Sequence, residues 1–589
     1  MPTAPRPSLV PAALVLLVSG AAALLPGSAG AAIYYVGTGT TCDGANDRPS
    51  LGAALLSAAF TTANDEIRLT RTLTYTNVAL DLVDWHAGVA GTVTIAGGYD
   101  NCDDTAASGR IALNGQSGNS VVVVRTSSQS SSVVTLRALE LTDSGFRGLA
   151  VGSGAEVSLQ NVWIHHNGGG AFVSTGGFLT TDAATEVTDH APFYDYGGGI
   201  SCSGAGAYLG FRGKLLRNQV LEGGGNLHVG PGCLVELYGG VLLEGNGAFP
   251  SVDYSASFGG AIYVDNGIVV AHGGANQVMI RQHQVYADGR GGAIFARGAD
   301  AVVSLFNTAI QNNTARISGA ALHAEDGASV AMDRVAPCPF IFSCSDIRNN
   351  RTIGSWDGHL VSIDGAHVEL RRTVVVGNGW QSTFLAAPSN LLHVENDGYL
   401  ALDGVLLWRN FAAHLLHAIS GGEITGQYLT VAENTYSIDS VVYDSWASIA
   451  DGGDVGLFSS ILLDTKGTDT LAGGSTTSDC LLVNTTQNWN PGTFFVAAPL
   501  FISQGTGDLR QVAGSPGVDF CDEQMVPWPG QLDVERRPRG YDEGTNPNGV
   551  PGISGGRFDA GFSEHVPAGY LFADGFGTGD TTAWSSTAN

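Results

Sequence analysis

The chain has 589 residues, of which 83 are glycine, about twice the usual share. Only 14% are charged, and 27 Lys+Arg against 54 Asp+Glu give a net charge of −27. That balance excludes the clustered cations that nucleic acids and anionic lipids reward, and a hydrophobic content of 44% excludes a low-complexity disordered chain.

The first segment, 1–31, reads as a removed secretory signal. Arg6 is the only charge before the apolar run from Ala12 to Leu25. Pro26-Gly27 breaks that run, and Ala29-Gly30-Ala31 has the small-x-small pattern of a cleavage site. No later segment is long and apolar enough for a membrane-spanning helix, so an extracellular or cell-surface chain is expected. Segment 32–115 is read as an N-terminal cap with the first coils of a repeat. Within it, Leu51 to Phe60 predicts a short apolar helix that plugs the first coil.

From Gly148 onward one phrase recurs. It appears as Leu149-Ala150-Val151, Ile200-Ser201-Cys202, Leu227-His228-Val229, Ile262-Tyr263-Val264, Ile294-Phe295-Ala296 and Leu322-His323-Ala324. It continues as Val361-Ser362-Ile363, Leu392-His393-Val394, Leu416-His417-Ala418 and Val442-Tyr443-Asp444. Several copies follow Gly-Gly-Ala, and the spacing averages about 30 residues. Two further alternating runs complete each unit, as in Ile268-Val269-Val270 and Ala366 to Leu370. Many units close on asparagine: Asn167, Asn246, Asn313, Asn350, Asn378, Asn410 and Asn434. These asparagines are assigned to bends of positive φ, with their amides stacked as a ladder.

Three short strands per unit bury no face alone, so successive units must stack. The predicted fold is all-β, a single-stranded parallel β-helix of about ten or more coils over 116–458. A propeller needs a longer period and hairpin-joined blades, and a leucine-rich repeat needs a fixed shorter one. Segment 459–565 is read as the last coils and a C-terminal cap, and 566–589 as a Gly/Thr/Ser-rich tail.

Eight cysteines in an exported chain read as disulfides. Chain order suggests Cys42–Cys102, Cys202–Cys233, Cys338–Cys344 and Cys480–Cys521, although eight cysteines allow ~105 connectivities.

These features resemble secreted right-handed parallel β-helix proteins of the broad pectin-lyase-like class. The Gly-Gly-Ala-Ile repeats and the run Ala309 to Asn313 are similar to repeats of polymorphic outer-membrane adhesins. Thr94 to Asp100 resembles an N-terminal coil of such proteins, and Pro499 to Asp519 with Phe558-Asp559-Ala560-Gly561 resembles their last coils. The resemblance implies a β-helix and export. For activity it implies little, since the class hosts both enzymes and adhesins.

Chemistry is sparsely marked. The adjacent aspartates Asp103-Asp104 read as a solvated turn. Asn161-Val162-Trp163-Ile164-His165-His166 is similar to one spot of the pectate lyases, but His165 stands where that pattern has aspartate. Its two histidines are expected on opposite faces, and not as a joint metal site. No metal-binding or cofactor motif is present; a lyase reading would need calcium or cationic neutralisation of a uronate, and no motif supports calcium.

The middle residues of the triplets are expected to face outward as one column. In it His228, Tyr263, Phe295, His323, His393, His417 and Tyr443 are ligand candidates. Ring stacking that only stabilises the sheet is the alternative. Two stretches before these strands read as long loops: Thr181 to Tyr196, with Asp182, Glu186, Asp189, His190, Asp195 and Tyr196, and Ala248 to Phe258, with Asp253 and Tyr254. Asp195, Tyr196, Asp253 and Tyr254 join the candidate list. The expectation is an adhesin-like or glycan-binding monomer facing an extracellular polysaccharide or a cell surface, without nucleic-acid partners. The alternatives are a polysaccharide lyase or glycoside hydrolase using those carboxylates, and a structural passenger without a ligand.

Overall fold

The computed structural model describes residues 31–565 apart from short stretches, the longest being 246–257, 336–344, 380–389, 485–493, 522–531 and 540–557. Most of the described strands fall into two large sheets of 14 and 31 strands, and three two-stranded sheets hold the rest. Within both, each described pairing is parallel. This is a β-helix. One coil runs from Ile262–Asp265 through Ile268–His272 to Val278–Arg281. Each of these strands pairs with its counterpart one coil later, at Ile294, Val302 and Thr308. The 14-stranded front sheet forms one wall. The larger sheet folds around the other two, here called the middle and closing walls.

The lumen is filled by the apolar partner of each alternation: Ile262 and Val264, Val269 and Ala271, Val278 and Ile280 are all buried in one continuous core. At the N-terminal end that core is closed by the helix Leu51–Ala58. Its Leu51, Ala54, Leu55 and Ala58 face inward, and Ser50 caps it by accepting from the Ala53 N–H.

The Gly-Gly-Ala phrase marks a corner. Gly259 and Gly291 adopt φ of +56° and +67°, and a side chain there would meet the carbonyl oxygens of Ile262 and Ile294. Only glycine fits.

The expected ladder of stacked amides exists, but the asparagines themselves are not the residues of positive φ. Asn313, Asn350, Asn378, Asn410 and Asn434 are buried and stacked. Each of the first four donates its amide to the next side-chain oxygen at 3.0–3.1 Å. Each also donates to a backbone carbonyl, Ile310 O for Asn350 and Ile347 O for Asn378. The positive φ belongs to the preceding residue: Asn312, Asn349, Gly377, Arg409 and Glu433. Asparagine is needed for the amide that bonds in two directions, while the bend falls one position earlier. The same corner holds His190, Asn218 and His283, and Asn167 joins it through His190. Asn246 lies outside the described residues.

Cys42–Cys102, Cys202–Cys233 and Cys480–Cys521 are bonded. Cys338 and Cys344 lie outside the described residues. Cys202 and Cys233 sit within the lumen core, tying one coil to the next. Loops of this length contribute on the order of 3–4 kcal/mol each by restricting the unfolded chain.

Coil stacking continues past 458. The strand Asp454–Leu462 pairs with Ser475–Val483, which pairs with Phe494–Val496. The following segment lies against the outside of the closing wall. There Leu509, Val534 and Phe562 cover Val374, Leu406, Trp408 and Ala432. Phe520 and Phe558 pack with Tyr428, Ile461 and Leu482. Arg539, fully buried, donates to the carbonyls of Gly561 and Phe562, with its guanidinium 3.6 Å from the centre of the Tyr428 ring.

His283 supplies a pH test of the ladder. Burial pushes its imidazole down to about 4, against 6.5 in an open chain. A depressed folded value means that stability is complete above pH 6.5 and is lost on acidification towards 4. Replacing it by the ladder's usual residue, His283→Asn, removes that dependence. The difference in unfolding free energy between the two proteins should be flat above pH 6.5. Below it, the difference should move in the variant's favour by about 1.4 kcal/mol per pH unit, measured by urea titration.

Candidate functional site

The parallel register builds the predicted column on the outer side of the front sheet. It joins Ser201, His228, Tyr263, Phe295, His323, Ser362, His393 and His417 as direct neighbours. Phe172 precedes Ser201 in the same row, a member that a Gly-rich stretch concealed in the sequence. The last expected member is misplaced. After His417 the row continues with Ser448, not Tyr443, because Val441–Val442 turns away into an antiparallel pair with Ser437–Ile438. Tyr443 itself lies outside the described residues.

The column is not open to solvent. Tyr263, Phe295, His323, Ser362 and His393 are each at most 3% exposed, while Phe172, His228, His417 and Ser448 are half-buried. The cause is the glycine corner, which folds the preceding residues back over the wall. Tyr196, Gly223, Phe258, Arg290 and Ser318 form a short parallel ladder of their own. Tyr196 stacks on His228 at 5.0 Å, Phe258 packs on Phe295 at 4.9 Å, and the Ser318 hydroxyl meets His323 Nδ1 at 3.2 Å. Beneath this cover the rings touch along the stack, Phe295 lying parallel to His323 at 5.1 Å. Farther along, His359 stacks on His393 at 3.9 Å.

Burial keeps two of the imidazoles neutral: His228 is pushed down to about 4, and His417 to about 3 by burial and then by His393. His393 and His417 meet nitrogen to nitrogen at 2.8 Å, so one carries the proton that the other accepts.

What faces solvent is the next row. Two residues beyond the column stand Asp265, Arg297, Glu325, Asp364 and Glu395, aligned as neighbours by the same register. All five are half-buried. The column supports this row from below: His323 Nε2 lies 3.0 Å from Glu325, and His393 Nε2 3.5 Å from Glu395. Burial alone would raise the Glu325 carboxyl, but the His323 hydrogen bond and the charges of Arg290 and Arg297 outweigh it and hold it low. Glu395 is lowered chiefly by its hydrogen bond with His393. Nothing in the recurring triplet flags this row, because its charges stand one position beyond each triplet.

The remaining candidates fare differently. Tyr196 is 36% exposed and donates its hydroxyl to Glu222. Asp195, Asp253 and Tyr254 lie outside the described residues. The stretch from Thr181 to His190 is not a loop insertion but part of a coil containing the strand Glu186–Thr188. Asp182 accepts from Asn161 N and from Thr185, while Glu186 pairs with Lys214 and Asp189 with Arg217. Those carboxylates hold turns and neighbouring strands. His165 and His166 do not diverge. The positive φ of His166 swings its ring back to meet His165 Nδ1 at 2.7 Å, and His165 also stacks on Trp163. Among the described residues no group of three His, Cys, Asp or Glu could hold a metal ion.

No family model matches this chain, and no curated protein does. Among solved structures, a crystal structure of pectate lyase Pel9A is similar over 92% of this chain and 98% of that one. The identity is 12% and the TM-score 0.22. A likeness of that size carries no argument, and the β-helix rests on the strand register itself.

Phe295→Ala separates a packed column from a contact surface. A ring buried in the wall should cost about 3–5 kcal/mol of unfolding free energy when truncated. A solvent-facing contact residue would change stability by only about 0.5 kcal/mol. Chemical denaturation distinguishes the two outcomes.

Proposed function

We propose that this is an exported, extracellular or surface-attached β-helix that binds an extended glycan along the front sheet. The observation that carries the reading is the row Asp265–Arg297–Glu325–Asp364–Glu395. It is a straight line of half-buried hydrogen-bonding groups at strand spacing, with two carboxylates steadied from below by buried histidines. Successive coils rise ~4.8 Å, so the row repeats on a scale similar to sugar units of an extended chain. Ionised carboxylates accept from sugar hydroxyls, and Arg297 donates. The column contributes rigidity and not contact, except at its half-buried members, among them His228 and His417; the covering ladder adds the partly exposed Tyr196.

Export is supported by the three disulfides, which persist in oxidising compartments. The described carboxylates of the Thr181–His190 stretch are engaged in structural pairs. This weighs towards binding and against a glycoside-hydrolase or lyase role there.

Retention on a panel of immobilised polysaccharides, with parallel assay of soluble products, tests the reading. Glu325→Gln and Glu395→Gln should each weaken retention about ten- to a hundredfold, the worth of a charge-assisted hydrogen bond. Released oligosaccharides from the wild-type protein would overturn a pure binding role in favour of an enzyme.

A further inference from the structure

We propose a second, separate sugar-binding site on the outer face of the middle wall, built by Tyr208, Glu236, Tyr238, His272 and Arg212 and selective for neutral saccharides. Register places Glu236 between Gly210 on one coil and Val270 on the next. The adjoining row runs Phe178, Tyr208, Leu234, Ile268 and Val302, and the other runs Tyr238, His272 and Phe306. A carboxylate thus stands amid an otherwise apolar and aromatic surface.

Three donors hold it there. The Tyr208 and Tyr238 hydroxyls donate to the same oxygen at 2.6 and 2.7 Å, and His272 Nε2 lies 3.2 Å from the other. Hydrogen bonds from Tyr208 and then Tyr238 hold the Glu236 carboxyl below its ordinary range, so it is ionised. A carboxylate offers about four lone-pair positions, and three are used. One oxygen keeps an acceptor position open to solvent, on a side chain 26% exposed. Gly210 gives the arrangement room. A side chain there would press within 3.0 Å of the Tyr208 hydroxyl, yet its backbone is not of the left-handed kind that demands glycine.

A donor stands beside this acceptor. The exposed Arg212 lies over Tyr238, its guanidinium carbon 3.9 Å from the ring centre, with no side-chain hydrogen bond or ion pair among the described residues. Phe178, 37% exposed, stacks on Tyr208 at 4.2 Å and 13° between planes. The surface therefore offers apolar rings, an ionised acceptor and a planar cation within four consecutive coils of a rigid wall. Pyranose rings need those groups together: apolar area for their C–H faces, and paired acceptors and donors for adjacent hydroxyls. None of this is required to fold the wall, because the face is solvent-exposed and Leu234, Ile268 and Val302 show that simple aliphatic residues suffice there.

The charge of the patch selects the ligand. One guanidinium, Arg212, stands against Glu236 and, beyond Phe178, the exposed Glu156, so the face carries no surplus of cations on a molecule of net charge −27. A uronate chain meets long-range repulsion and no surplus cation; a neutral oligosaccharide meets neither obstacle.

Isothermal titration of the full chain with cellohexaose, xylohexaose and mannohexaose, and with hexagalacturonate as the charged control, tests the proposal. At least one neutral oligosaccharide should bind, and the uronate should not. Glu236→Gln and Tyr238→Phe should each weaken that binding about tenfold, while Asp100→Asn, at an exposed position outside both surfaces, should leave it unchanged. Tyr238→Phe keeps the ring, so an unaltered thermal midpoint shows that the fold is intact. Absence of binding by every neutral probe, or binding indifferent to both middle-wall variants, would overturn the proposal. Loss of binding on Glu325→Gln alone would assign the sugar to the front sheet and also overturn it.

Discussion

In this molecule no coil can satisfy its own backbone. Each strand is only a few residues long, and its N–H and C=O groups pair with the coils on either side. Register is therefore propagated from one coil to the next, and any outward residue type that recurs at one place in the repeat becomes a straight row. The asparagine ladder keeps the rows aligned. Its amides bond both to the next side chain and to a carbonyl of the preceding coil, so a slipped coil would leave several buried polar groups unpaired. Both candidate surfaces inherit their geometry from this constraint.

The repeat and its lumen were readable because they obey local rules. Alternation marks Val269 and Ala271 as inward, and the glycine phrase marks a corner that only glycine can occupy. The column's membership was also readable from Ser201 to His417, since parallel stacking aligns equal positions. Its environment was not. Whether Phe295 is exposed depends on Phe258, which lies 37 positions earlier and is returned over the sheet by the corner at Gly259. No periodicity within a strand records that fold-back. Tyr443 failed for a related reason: the triplet matched, but the chain there diverts into a hairpin before the coil resumes at Ala447.

The middle-wall cluster was harder to see than the column because its parts never occur in one phrase. Arg212, Tyr208 and Glu236 belong to two coils, and His272 to a third, so only register unites them. Each alone is an ordinary surface residue of a strand. The same holds for the front row, where the histidines that steady Glu325 and Glu395 lie two residues away on the same strand, yet on the covered side of the surface.

The acidic charge then acquires a structural meaning. Many carboxylates are committed to neighbouring coils, as in Glu186–Lys214, Asp189–Arg217 and Glu244–Arg281, where opposite charges on adjacent strands reinforce the stack. Exposed pairs of this kind contribute little individually, about 0–1 kcal/mol. With half as many basic as acidic residues, such pairing cannot neutralise every acid. The unbalanced remainder includes the front row, where four carboxylates accompany Arg297. A surface of that sign accepts hydrogen bonds from hydroxyl-rich chains and repels polyanions. The middle wall, as proposed, would discriminate by shape and ring contact instead. Both surfaces stand on one rigid stack, so the same register that aligns each row also fixes the spacing between them.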